Sequence, residues 1–354
     1  MSRRAEKQTV TPPANRPTAG SRPPGLPRPG EKRLHPGGTG RRPLLWHRVT
    51  DLLPGSQKDT RRNSALPAIA PGKVTLMCAF PMSRLTVRDG TQVAYERQGS
   101  GSTVVLVHGG FLDHRACGGL QVILVAAGHT VVAPDRRGHG FSDPYGPRHE
   151  VADDAGDLVE IVAAVAELGT TVRVIAHSSG GHSALAAAAL TDSIGDLVLY
   201  EPPLRRDDPP IDPATWTRLR NANAAGDRKL LVELAFAEVV GKATGQPPPV
   251  PLPQPFWDAP FGRLLLANAL SIPAELEASS RQDDSDDSLR QIRVPIWCLI
   301  GQNSPPYNRK LSDRLAALNP LAQVIELPDQ DHLTPMTNPV IVADLLETFD
   351  RQIG

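Results

Sequence analysis

The stretch Val172–Leu190, reading VRVIAHSSGGHSALAAAAL, limits what this chain can fold into more than any other. The β-branched run Val172, Val174 and Ile175 predicts a buried strand. It breaks into His177-Ser178-Ser179-Gly180-Gly181, and an alanine-rich segment of strong helix propensity follows. Strand, sharp turn and helix with a serine at the apex is the form of a nucleophile elbow. The apex residue takes up a strained backbone conformation that lifts its Oγ clear of the sheet. Strand and helix then pass so close that the second residue on either side of the serine must be small. Those residues are Ala176 and Gly180, so alanine stands where G-x-S-x-G has its first glycine. Ala184, Ala186, Ala187 and Ala188 let the helix lie close on the sheet. A serine in an ordinary β–α turn makes no such demand on its neighbours. Ser178 is the candidate nucleophile.

Around this stretch strands and helices alternate. Arg84–Val87 and Gln92–Glu96 flank Asp89-Gly90, a hairpin signal, and Thr103–Val107 is a continuous apolar run of the kind central parallel strands show. Helices are predicted over Arg115–Ala127 and Val151–Leu168, and strands over Thr130–Ala133 and Leu197–Tyr200. The alternation stops at Pro202-Pro203. From about 204 to 291 the pattern is helical and irregular: Ala214–Ala225, Asp227–Val240, a proline-rich link, Phe261–Ser271 and the acidic run Asp283–Asp287, read as a solvated linker because it lacks the glycine and terminal glutamate of a calcium loop. It resumes with a strand Pro295–Ile300, a helix Arg309–Leu318, a strand Gln323–Leu327 and a helix Val340–Gln352. This order predicts a mostly parallel sheet covered on both faces, with an insertion at the strand ends where ligand-covering caps sit.

Residues 1–81 are a different kind of sequence. They hold 13 prolines, 15 Lys and Arg against 4 Asp and Glu, and no sustained period. Such a segment cannot bury enough apolar surface to offset its chain entropy and reads as a disordered tail, which a start assigned too far upstream explains as well as a functional arm does. Residues 82–354 then carry 23 basic against 34 acidic residues, which argues against a nucleic-acid-binding core. The basic tail leaves open a nucleic-acid or membrane-surface role of its own. Three scattered cysteines (Cys78, Cys117, Cys298) form neither a disulfide framework nor a metal pattern, as suits a cytoplasmic protein. No apolar run approaches the roughly 18 residues of a membrane span.

A serine hydroxyl needs a base to take its proton. The candidate is His332, just after the last predicted strand, in the chain order serine first and histidine last. His108, His139, His177 and His182 read as packing residues. At this point the region from about Arg84 to Gly354 resembles the α/β-hydrolase superfamily, specifically single-domain members with a helical cap. The resemblance rests on Val105-Leu106-Val107-His108-Gly109-Gly110, Asp135-Arg136-Arg137-Gly138-His139-Gly140, the turn at Ser178, Leu199-Tyr200-Glu201-Pro202-Pro203 and the His332 loop, in register. It implies an eight-stranded sheet and a Ser-His-acid triad. Many members hold the acid in the loop after the family's seventh strand, but the matching position here is Ser304. Other members place it beside the elbow strand, which points to Glu201, with Asp329 or Asp331 as weaker substitutes. The resemblance also implies an oxyanion hole built from the backbone N–H groups of Ser179 and Gly110, with Phe111 as a further contributor.

The expected function is a serine hydrolase acting on an ester or related acyl bond of a small, largely apolar substrate. No cofactor or metal is called for, and a monomer or homodimer is expected. Trp216, Phe236, Phe256, Trp257 and Phe261 suggest an apolar channel or the core of the cap. Carbon–carbon bond hydrolysis, cofactor-free perhydrolysis, lyase chemistry and acyl transfer remain open on the same residues. So does a non-catalytic ligand-binding or partner-binding role.

Overall fold

The computed structural model describes residues 47–48 and 82–353, apart from 147, 168, 204–209, 247, 249 and 283–284. The tail expected over 1–81 thus lies outside the described residues, save for the two-residue strand β1 (His47–Arg48). The other strands are β2 (Ser83–Thr86), β3 (Gln92–Gln98), β4 (Thr103–Val107), β5 (Thr130–Pro134), β6 (Val172–His177), β7 (Ile194–Tyr200), β8 (Ile296–Gly301) and β9 (Ala322–Leu327). They form one sheet in the order β1-β9-β8-β7-β6-β4-β5-β3-β2. Among the described strands β3 runs antiparallel to both its neighbours, β2 and β5, and every other pairing is parallel. The fold is that of an α/β hydrolase, with the eight expected strands extended at one edge by β1.

The strands are apolar in both phases because both faces are covered. Val105, Val107, Val174, Leu197 and Leu199 face one layer with Leu158, Ile161, Leu311 and Leu315. Leu106, Ile175, Val198, Leu299 and Ile325 face the other with Leu120, Leu124, Leu345 and Phe349. Strand β6, which leads into the turn at Ser178, lies between β4 and β7 in the middle of the sheet. The loops after β4, β6 and β7 therefore meet at one end of it.

Between β7 and β8 the chain forms helices Pro213–Ala225, Arg228–Thr244, Gln254–Asp258, Pro260–Asn268 and Ile272–Ser280. They share an apolar core of their own, including Leu219, Leu231, Leu265 and Ile272, into which Leu112 and Ala116 project from the loop after β4. The expected helix Phe261–Ser271 is the helix Pro260–Asn268 followed by a 3-10 turn (Ala269–Ser271), after which a further helix, not expected, begins at Ile272. Pro273 explains the restart, because it has no N–H to give to the preceding turn. The acidic run also departs from a linker. Residues Asp286–Arg290 form a short helix whose Leu289 is buried in the sheet's own core. Of the aromatic candidates, Phe256 packs edge on against Phe236, Trp257 and Phe261, and Phe236 lies tilted against Phe261. Trp257 is buried in the core of the insertion, and Phe236, Phe256 and Phe261 pack against that core while staying partly exposed.

Candidate active site

Ser178 sits between β6 and the helix Gly180–Ala188, at φ 49°. A left-handed backbone is costly for a residue with a Cβ and is kept only where the surroundings impose it. The close approach expected there is present. Ala176 is fully buried, and a Cβ on Gly180 would collide with the carbonyl of His108. The site has a second such residue in Glu201 (φ 47°), at the end of β7 beside the turn.

The structure brings Ser178, His332 and Glu201 together. His332 Nε2 lies 3.2 Å from Ser178 Oγ, and its Nδ1 lies 2.7 Å from Glu201 Oε2. Glu201 is buried and accepts two further hydrogen bonds: 2.7 Å from the Gly301 N–H to Oε1, and 2.6 Å from Asn308 Nδ2 to Oε2. Burial pushes its carboxyl up, but the hydrogen bond and charge of His332, with help from Ser304 and Asn308, hold it below the ordinary glutamate value. An ionised Glu201 accepts the Nδ1–H, which leaves the Nε2 lone pair facing Ser178. Asp329 and Asp331 are exposed and make no hydrogen bond to the His332 ring.

The loop bearing His332 is fixed through its main chain. Buried His177 donates from Nε2 to the His332 carbonyl at 2.9 Å, and Tyr200 Oη donates to the Asp331 carbonyl at 2.6 Å. Burial, aided by the charge of His332, pushes the His177 imidazole down to about 3, so it stays neutral and keeps one donor. His108 is likewise driven to about 3 by burial and by neighbouring Arg136, and its Nε2 accepts the Arg136 N–H at 3.0 Å. These histidines pack, as expected, but each also braces a loop of the site. Nothing in the local sequence announces that, nor the part played by Asn308.

Of the candidate oxyanion donors, Gly110 and Ser179 offer backbone N–H groups with no protein acceptor among the described residues. Phe111 does not. Its N–H donates to Glu275 Oε2 at 3.0 Å, so it is removed from the expected set. Glu275, from the helix Ile272–Ser280 of the insertion, is the residue that sequence reasoning missed. It is buried and also meets Arg136 Nη2 at 2.5 Å, Ser179 Oγ at 2.9 Å and His139 Nε2 at 3.1 Å. A second buried cluster, Asp113, His114 and Asp135, has the composition of a metal site. Its oxygens are committed to protein donors: Asp135 takes His114 and the Phe141 N–H, and Asp113 takes Arg115 and Asn268.

Comparison with known proteins agrees with this architecture. The alpha/beta hydrolase family profile matches residues 104–345. The chain belongs to the alpha/beta hydrolase family. An alpha/beta hydrolase from Sphaerobacter thermophilus is 31% identical, with a TM-score of 0.62 over 75% of this chain and 100% of that one. An esterase from Thermogutta terrifontis (23% identical, TM-score 0.62, 77% of this chain and 99% of that one) and a bromoperoxidase from Bacillus anthracis (20%, 0.60, 76% and 100%) share the fold. A non-heme haloperoxidase from Rhodococcus erythropolis is 38% identical over 101 residues, 28% of this chain. The match spans 36% of that relative's length. Among the described residues no helix is long and apolar enough to cross a membrane.

Proposed function

We propose that this chain is a serine hydrolase that cleaves an ester or related acyl bond of a small, largely apolar substrate. The observation that carries the reading is the continuous relay from Ser178 Oγ through His332 to the buried Glu201. In this reading His332 takes the Ser178 proton as Oγ attacks the carbonyl. The oxyanion that forms is held by the N–H groups of Gly110 and Ser179. His332 then gives the proton to the leaving alcohol, and water, activated by the same base, releases the acyl group. The insertion serves as a cap whose aromatic core makes an apolar lid. The test is intact-mass labelling with a fluorophosphonate on the wild type and on Ser178→Ala. A single adduct on the wild type alone supports the reading, and no adduct on folded wild type overturns it.

The haloperoxidase relatives favour a second reading, perhydrolysis, in which hydrogen peroxide replaces water and the acyl group leaves as a peracid. Peracid formation from a short carboxylic ester and hydrogen peroxide, lost in Ser178→Ala, is the measurement that decides it.

A further inference from the structure

We propose that Glu275 is a positioning residue of the oxyanion hole: a carboxylate carried on the insertion that ties together the two loops from which the hole is made. The inference rests on the serine-hydrolase reading above. Glu275 Oε2 accepts the Phe111 N–H at 3.0 Å, and its Oε1 accepts the Ser179 hydroxyl at 2.9 Å. Phe111 directly follows Gly110, and Ser179 directly follows Ser178. One carboxylate therefore spans the loop after β4 and the turn after β6, and sets the distance between the N–H groups of Gly110 and Ser179. The fit is close. A Cβ on Gly110 would lie 3.1 Å from both Glu275 Oε1 and Ser179 Oγ. Phe111 is held at φ 61°, a conformation that a non-glycine residue keeps only when its surroundings impose it, and the bond to Glu275 supplies that constraint. A bare carboxylate beside a forming oxyanion would oppose it. Here the charge is offset by Arg136 at 2.5 Å and supported by His139 at 3.1 Å. Since Glu275 comes from the insertion and its partners come from the sheet's loops, the hole is complete only when that helix is docked.

The test uses steady-state hydrolysis of a short neutral p-nitrophenyl ester by wild type, Glu275→Gln and Glu275→Ala. Inhibition is measured with an aryl trifluoromethyl ketone, whose adduct with serine carries an oxyanion, and with the matching methyl ketone. A donor misplaced by about 1 Å costs on the order of 100-fold. The expected result for Glu275→Ala is a kcat lower by about 10- to 100-fold with KM within about threefold. The trifluoromethyl ketone should weaken by a similar factor and the methyl ketone should not. Glu275→Gln, which keeps one acceptor oxygen, should fall between. If Glu275→Ala does not fold, Glu275→Gln decides alone. Unchanged kcat in folded variants overturns the proposal, and so does equal weakening of both ketones, which marks a residue that only shapes the pocket. A wild type with neither hydrolysis nor fluorophosphonate adduct overturns the underlying reading before the variants are made.

Discussion

Replacing Glu201 with glutamine separates charge from shape at the far end of the relay. Three donors converge on this carboxylate: the Gly301 N–H, Asn308 Nδ2 and His332 Nδ1. An amide offers one acceptor oxygen, so a glutamine cannot serve all three. If its oxygen keeps Gly301, its NH2 faces Asn308 and His332 Nδ1. His332 then accepts at Nδ1 and carries its proton on Nε2, toward Ser178, where it is no base. If the amide flips, the buried Gly301 N–H loses its acceptor. The wrong tautomer at this position of a triad costs about 10^4 in kcat, or roughly 5 kcal/mol of transition-state stabilisation. Glu201 is 1% exposed, so KM should stay within about threefold. The assay is steady-state hydrolysis of p-nitrophenyl acetate alongside the rate of fluorophosphonate labelling, with circular dichroism to show that the variant is folded. Both rates should fall together. A folded Glu201→Gln that keeps more than about a tenth of wild-type kcat would refute the reasoning.

Other expectations follow from the same geometry. Asn308→Ala removes a 2.6 Å hydrogen bond to Glu201 Oε2 and should lower kcat about tenfold while the fold persists, read in the same ester assay. A Cβ at Gly180 has no room against His108, so Gly180→Ala should cost about 1–3 kcal/mol in urea unfolding and suppress labelling of Ser178. Acid should destabilise the protein through its buried histidines. His177 and His108 titrate near 3 in the folded chain but near the ordinary 6.5 when unfolded, so between these values the unfolded state binds more protons. Stability contributed by each is full above pH 6.5 and declines as pH falls toward 3, by roughly 2 kcal/mol per histidine between pH 7 and pH 5. Urea unfolding of the wild type and of His177→Gln at both pH values measures this. An equal loss in both proteins would rule out His177 as a source.

The turn at Ser178 was legible because tight packing restricts its neighbours to small residues over a short span. Glu201 was legible only through the family resemblance, some members of which hold the acid at that strand end; Asp329 and Asp331 stayed open as substitutes until the contact with His332 singled out Glu201. Chain order placed His332. The sequence was silent on Glu275, which lies on an unremarkable helix far along the chain from Phe111 and Ser179 and meets them only through the docking of that helix. For the same reason Phe111 was misread, since a free N–H and an engaged one look alike in a sequence. Asn308 and His177 act through contacts made by folding, the second to a backbone carbonyl that no side-chain pattern can mark. Three of the insertion's helices were found, but Gln254–Asp258, Ile272–Ser280 and Asp286–Arg290 were not, the second because proline restarts a helix there and the third because Leu289 drops back into the body's core.

The left-handed backbones at Ser178, Glu201 and Phe111 bear on how such a protein would change under selection. Each holds a non-glycine residue in a conformation that costs on the order of 1–2 kcal/mol. Glycine would adopt it freely, so screens for thermal tolerance alone should enrich glycine at Ser178, whereas at Glu201 three stranded donors and at Phe111 lost packing oppose that gain. At Ser178 that variant would lose the relay. Heat resistance and turnover are set against each other at one backbone torsion, and an engineer who wants both must fix this position and look for stability elsewhere.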